Sequence, residues 1–289
     1  MMHLILGAAI ISFSPVFVKL AAPYGVSGDA AAFQRVFIGG LCLLAASLIS
    51  REPRSKVWNM PRSGLYWSLA CAGFFTADLL CWHLSILYIG PGLATLFGNF
   101  QVFVLAAWGI LFLREKPGLR FFAGLALAMG GLFAIVAPAW AGAGENYHLG
   151  VFFGLVTGLF YAGYILTLTR SMAECGENSQ LAAMTASSLF TAAILAPILL
   201  LRGDTLALEP GMPLLLMSGY GVTSQFIGWV LISRGLRETR MSLAGLILLL
   251  QPVLAYVWDL TLFARPAGAA ELLGVAATLT GIALGARRK

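Results

Sequence analysis

Long apolar stretches recur about every twenty-nine residues from one end of this chain to the other, and no other property limits its fold so severely. A helix rises about 1.5 Å per residue, so crossing a hydrocarbon core about 30 Å thick takes roughly twenty apolar residues in succession. Ten windows of that length, bounded by charge, glycine or proline, fall at residues 3–22, 30–50, 65–87, 91–113, 119–138, 149–170, 179–201, 212–233, 241–263 and 269–286. With 60% hydrophobic and 10% charged residues and a mean hydropathy of +0.88, the chain is too apolar for a water-soluble globule of 289 residues. The expected fold is an all-α polytopic membrane protein whose solvent is the lipid bilayer.

Ten spans place both termini on one side, and the distribution of Lys and Arg says which. With cytoplasmic ends, the inner face carries Arg51, Arg54, Lys56, Arg62, Arg114, Lys116, Arg120, Arg170, Arg234, Arg237, Arg240, Arg287, Arg288 and Lys289, and the outer face only Arg202 and Arg265. Lys19 and Arg35 lie inside spans. This asymmetry accounts for most of the net charge of +6, so no nucleic-acid partner is expected. Indole rings favour the headgroup level, which puts Trp67, Trp108 and Trp229 near the inner interface and Trp82 and Trp258 near the outer one. The N-terminus has no charged region or cleavage site, so span 1 reads as a retained helix. Cys42, Cys71, Cys81 and Cys175 have no C-x-x-C spacing and read as small packing residues. Neither H-E-x-x-H, G-x-S-x-G nor paired intramembrane aspartates occur, and His3, His83 and His148 are far apart. An enzyme, a metal site and a cofactor are therefore not expected. No G-x-x-x-x-G-K-S/T signature of a primary pump occurs either.

The chain also repeats itself. At an offset of 147, Gly7 meets Gly154, Phe13 meets Phe160, Phe17 meets Tyr164, Asp78 meets Gln225 and Trp82 meets Trp229. At an offset of 150, Leu93-Ala94-x-Leu96 meets Leu243-Ala244-x-Leu246, Gln101 meets Gln251, Trp108 meets Trp258, Gly124 meets Gly274 and Gly131 meets Gly281. This reads as two five-span copies, residues 1–138 and 149–289, joined by an outer loop at 139–148. Five is odd, so the second copy enters the membrane upside down. Inverted repeats of this kind are the mechanical basis of alternating access.

Two five-helix halves, Trp82-His83-Leu84-Ser85-Ile86 closing span 3, Arg35 opening span 2 and Gln251-Pro252 in span 9 resemble the drug/metabolite transporter superfamily, in its EamA-type ten-helix members. The resemblance covers essentially the whole chain. It implies a secondary transporter whose cavity is lined by spans 1–4 and 6–9, with spans 5 and 10 peripheral. Within the superfamily, the chain is most similar to bacterial inner-membrane exporters of amino acids, aromatic ones included. The alternatives are exporters of organic cations, drugs or other metabolites. Val102 departs from the pattern, since many relatives place a proline there, so the sequence supplies no proline to break span 4 at that point.

Polar side chains at membrane depth cost a few kcal/mol each and demand a partner or a wet cavity. Ser12, Ser14, Asp78, Asn99, Gln101, Tyr161, Tyr164, Gln225 and Gln251 fall near mid-bilayer, in spans 1, 3, 4, 6, 8 and 9. Asp78, the one carboxylate deep in a span, either carries a proton, answers a substrate ammonium, or forms a structural ion pair with Arg35 or Lys19. His83 is a candidate to join it in proton coupling. Arg35 either holds a substrate carboxylate with its planar fork or snorkels to the headgroups. Trp82 shares a helix face with Asp78. Gln101 and Gln251 either contact a zwitterion or bridge helices, and Asn99 projects to a different face from Gln101. Tyr161 and Tyr164 can stack on an aromatic or cationic solute. Asp259 is expected to pair with Arg265 or water. The glycines of spans 5 and 10 suit close helix packing, within a monomer or across a homodimer.

Overall fold

The structure, a computed structural model, describes residues 1–140, 146–177, 179–264 and 267–286. Arg265, Arg287, Arg288 and Lys289, counted in the charge asymmetry, lie outside the described residues. Among those described there is no strand. Nine helices are long and apolar enough to cross a membrane, and a shorter apolar stretch, Leu119–Ile135, lies within the helix Leu119–Trp140. Large apolar side chains such as Leu48, Ile49, Leu87, Leu111 and Leu201 stand exposed, as lipid contact allows.

The architecture is all-α, with ten membrane helices in two inverted five-helix repeats. Span 2 is Gly28–Ile49, span 5 Leu119–Trp140, span 6 Tyr147–Cys175, span 7 Gln180–Leu201 and span 10 Ala269–Ala286. Spans 3 and 4, Arg62–Ile89 and Leu93–Leu111, share helical backbone that runs on from Arg62 to Gly98. That backbone doubles back. Ser85 and Phe97 both lie within 3.0 Å of where a Cβ on Gly154 would stand, whereas a straight helix would hold them about 18 Å apart.

Partners exchange consistently between the halves. Span 3 packs along span 6 and span 8 along span 1; span 2 meets span 8 and span 3 meets span 7; spans 2 and 7, 4 and 9, and 5 and 10 pair with each other. Replacing each span by its counterpart leaves this set unchanged. Span ends sort to two faces accordingly. The Met1 amino group and His3 meet Glu238, and Glu115 meets Ser242, at the N-terminal face; Lys19 meets Asp259, and Asp29 meets His83 and Arg202, at the opposite one.

Three spans are interrupted near their middles, each by a nameable cause. Span 1 is Met2–Ile11 then Ser14–Ala21. Pro15 has no N–H for the Ile11 carbonyl, and the Ser14 hydroxyl donates to that carbonyl instead, at 2.6 Å. Span 9 is Met241–Leu248 then Leu250–Leu262, with Pro252 just past the break. Span 4 breaks at Asn99–Phe100 without a proline. There the Asn99 amide donates to the Thr95 carbonyl at 2.7 Å, competing with the helical ladder. Val102 was therefore no guide to whether span 4 breaks. Span 8 is Met212–Tyr220, a π-helical segment Gly221–Gly228, then Trp229–Glu238. Span 6 has no interruption.

The glycines of spans 5 and 10 are used on one another. A Cβ on Gly124 would meet Gly281 and Gly285 backbone, and one on Gly131 would meet Gly274 and Thr278. These glycines pack spans 5 and 10 together, while Gly130 faces open space.

Candidate functional site

Arg35 lies two turns into span 2, whose start is set by Ser27, an N-cap accepting the Ala30 N–H at 3.1 Å. Its Nε donates to Gln225 Oε1 at 3.2 Å, and its guanidinium carbon stands 5.5 Å from the Phe75 ring centroid and 5.7 Å from that of Tyr220. Hydrogen bond and rings pin the group inside the bundle, so it does not snorkel. Gln225, 1% exposed, donates from Nε2 to the Ser188 hydroxyl at 2.9 Å. Spans 2, 7 and 8 are thereby joined through one polar chain.

Asp78 is buried on span 3, and Phe75 stands one turn before it on the same helix face. Arg35 is the positive charge whose field reaches Asp78. Among the described residues, no basic group lies within 4 Å of the carboxylate, so the expected ion pair with Arg35 or Lys19 does not form. Lys19 instead pairs with Asp259 at 2.8 Å and lies over the Phe263 ring. Arg265, the partner expected for Asp259, lies outside the described residues. Arg35 and Asp78 thus share the bundle interior without pairing with each other.

Aromatic rings adjoin these charges. Tyr164 stacks on Phe75 at 4.4 Å and meets Trp229 edge-on at 4.7 Å, and Tyr161 lies 6.3 Å from both Tyr164 and Trp229. The Tyr161 hydroxyl accepts from Gln251 Nε2 at 3.3 Å, which brings in span 9. The Tyr164 hydroxyl and the Trp229 indole N–H are buried without a hydrogen-bond partner. Trp229 is only 1% exposed, so its indole packs inside the bundle and does not face lipid. Its match to Trp82 across the repeat was the available signal. Phe75, Tyr220 and Ser188 were missed altogether, being of residue types that an apolar span uses everywhere.

The remaining candidates divide. Ser14 and Ser224 share a hydrogen bond of 2.6 Å between spans 1 and 8, and Trp258 donates to Ser12 at 2.7 Å while stacking on Phe13. Asn99 is spent on its own helix. Gln101 is completely buried with both amide atoms unpartnered, its backbone pressed against Gly158 of span 6. Trp82 leans on His83, with ring centroids 5.2 Å apart. His83 pairs with Asp29, not Asp78, and Arg202 lies 3.8 Å from that same carboxylate. The structure therefore gathers Arg35, Asp78, Tyr161, Tyr164, Gln225 and Gln251 into one neighbourhood, and leaves His83 in a separate cluster at the ends of spans 2, 3 and 7 on the face opposite the N-terminus. Surface concavities lie elsewhere: a groove of about 260 Å³ between spans 5 and 10, and one of about 370 Å³ beside Tyr24 and Glu209.

Such an arrangement can bind a small solute carrying opposite charges and an apolar or aromatic body. A guanidinium edge takes a carboxylate, a carboxylate takes an ammonium or a proton, and the rings take the rest.

Comparison with known proteins adds the following. The model of the EamA-like transporter family matches residues 1–137 and 148–286. An uncharacterised transporter of Synechocystis sp. is 27% identical over 135 residues, 43% of this chain. The match spans only 40% of that relative's length. A crystal structure superposes with a TM-score of 0.79 over 99% of this chain and 96% of the other, at 17% identity, which is a likeness of fold.

Proposed function

Given that this chain belongs to the EamA-like transporter family, we propose that it is a secondary active transporter exporting small amphipathic metabolites, above all amino acids with aromatic side chains, by alternating access. The observation that carries this reading is the pair of half-buried Arg35 and buried Asp78, within reach of each other's field yet not ion-paired, beside Phe75, Tyr161, Tyr164 and Trp229. A zwitterion supplies the carboxylate and the ammonium that these two groups lack. The basic N-terminal face would be cytoplasmic, in a bacterial inner membrane.

Asp78 is the group assigned to coupling. A carboxylate that accepts either a proton or a substrate ammonium, but not both, makes the two compete, which is the elementary requirement for exchange. His83, committed to Asp29, has no part in this reading.

Counterflow of radiolabelled L-phenylalanine into proteoliposomes holding the purified protein, without nucleotide, tests the proposal. Saturable accumulation is expected; none for any amino acid would reject it. A second reading, export of aromatic organic cations, is favoured by the unpaired Asp78 carboxylate beside Tyr161. It predicts that phenethylamine, which lacks a carboxylate, is carried as well as L-phenylalanine.

A further inference from the structure

Gln225, one of the polar residues that the sequence places near mid-bilayer and a candidate substrate contact, has a geometry that fits a different task. Both ends of its amide are already engaged, Oε1 by Arg35 Nε at 3.2 Å and Nε2 by the Ser188 hydroxyl at 2.9 Å, and the side chain is 1% exposed. Its stem lodges against Gly39, one turn beyond Arg35 on the same face of span 2, where any Cβ would collide with that of Gln225. The amide is thus held between spans 2 and 7, and its burial closes it to a direct solute contact.

Its effect falls on Arg35. With Nε engaged by Gln225 and the rings of Phe75 and Tyr220 flanking the guanidinium, the Nη edge is the part left to bind. That edge is the fork that matches a planar carboxylate. The identity of residue 225 also matters electrically. A carboxylate there would neutralise Arg35 and remove its need for an anion, whereas a neutral amide orients the cation and leaves its charge to be answered by a ligand. The repeat-related position in the first half does carry a carboxylate, Asp78.

We infer that Gln225, fixed by Ser188, is a positioning and specificity-determining residue: it aims the Arg35 fork and, by being an amide, makes the site select solutes that bear a carboxylate. This rests on the reading of the interior cluster as the transport site.

Three probes of similar shape separate the possibilities: L-phenylalanine, 3-phenylpropanoate without the ammonium, and phenethylamine without the carboxylate. Binding is read by tryptophan fluorescence in nanodiscs, where Trp229 supplies a reporter. In Gln225→Glu, affinity for L-phenylalanine and 3-phenylpropanoate should fall roughly 10- to 100-fold, as expected for loss of a charge-assisted contact, while phenethylamine binding is retained or strengthened. Ser188→Ala, which disturbs no charge and keeps the test open should Gln225→Glu misfold, should weaken both carboxylate probes about 3- to 10-fold and leave phenethylamine unchanged. If either variant weakens all three probes equally, or leaves the carboxylate probes unaffected while wild type binds them, the positioning role is overturned alone. If wild type binds none of the three, the transport reading fails and this inference with it.

Discussion

The two halves of the molecule share a scaffold and divide the chemistry. Spans 2 and 3 bring Arg35 and Asp78 into the interior; their counterparts, spans 7 and 8, contain no Asp, Glu, Lys or Arg within Gln180–Leu201 or residues 212–233. At the position of Asp78 the second half has Gln225, which takes the Arg35 Nε–H without cancelling its charge. Gln251 reaches Tyr161, while its counterpart Gln101 is buried with no partner, and Ser14, matching Tyr161, turns to Ser224. Span 1 is broken where span 6 runs on, and span 8 is π-helical where span 3 is regular. The lesson is that repetition supplies symmetric positions, and divergence of a few residues makes the two halves chemically unequal at them. Two halves held in different conformations are also what an inverted-repeat transporter needs, since exchanging those conformations exchanges the side that is open.

This contrast can be broken most severely at its charged end. Arg35→Leu should abolish counterflow and weaken carboxylate probes by about 100-fold or more; retention within a few-fold would show that the first half's cation is structural. Asp78→Asn makes the two halves chemically alike at that level. It should lower transport about 10-fold or more and flatten its dependence on pH. Unchanged rate and pH profile would remove Asp78 from the mechanism.

Smaller effects sharpen the comparison. Gly131→Ala drives a Cβ to 2.5 Å from the Gly274 carbonyl, while the neighbouring Gly130→Ala meets open space. The first should cost about 1–3 kcal/mol of stability by overpacking the seam between repeats, the second almost none; equal melting temperatures would contradict the packing of spans 5 and 10. Gln251→Leu should raise the half-saturation concentration several-fold by freeing Tyr161, whereas Gln101→Leu should stabilise the protein by about 1 kcal/mol by removing an unsatisfied buried amide. A destabilised Gln101→Leu would mean that this amide has a partner. His83→Gln should change stability by no more than about 1 kcal/mol, as befits a part-exposed pair, and leave the transport pH profile intact. A shifted profile would restore the histidine to proton coupling.

Much of this was legible beforehand, and the misreadings have identifiable causes. Arg35 and Asp78 stand out in any oily window because charge at that depth is expensive. Trp229 did not, because indole preference for interfaces and its place near the end of span 8 pointed outward, and only the contacts of Phe75 and Tyr164 draw it in. Asn99 escaped notice as a helix breaker because attention to proline overlooks a side chain that competes for a backbone carbonyl. His83 and Asp29 are 54 positions apart in sequence, and nothing local links them.

Segment length and polarity in the sequence marked the membrane spans, because hydrocarbon thickness and the cost of exposed backbone act on each segment separately, and the internal matches at offsets of 147 and 150 marked two upended copies. Which polar groups meet was decided only by the tertiary structure. Successive helical residues point about 100° apart, so shifting a span boundary by a single residue turns every side chain to another face. Only the packed glycines, kinks and π-helical turn fix that rotation, and with it the meeting of Arg35, Gln225 and Asp78.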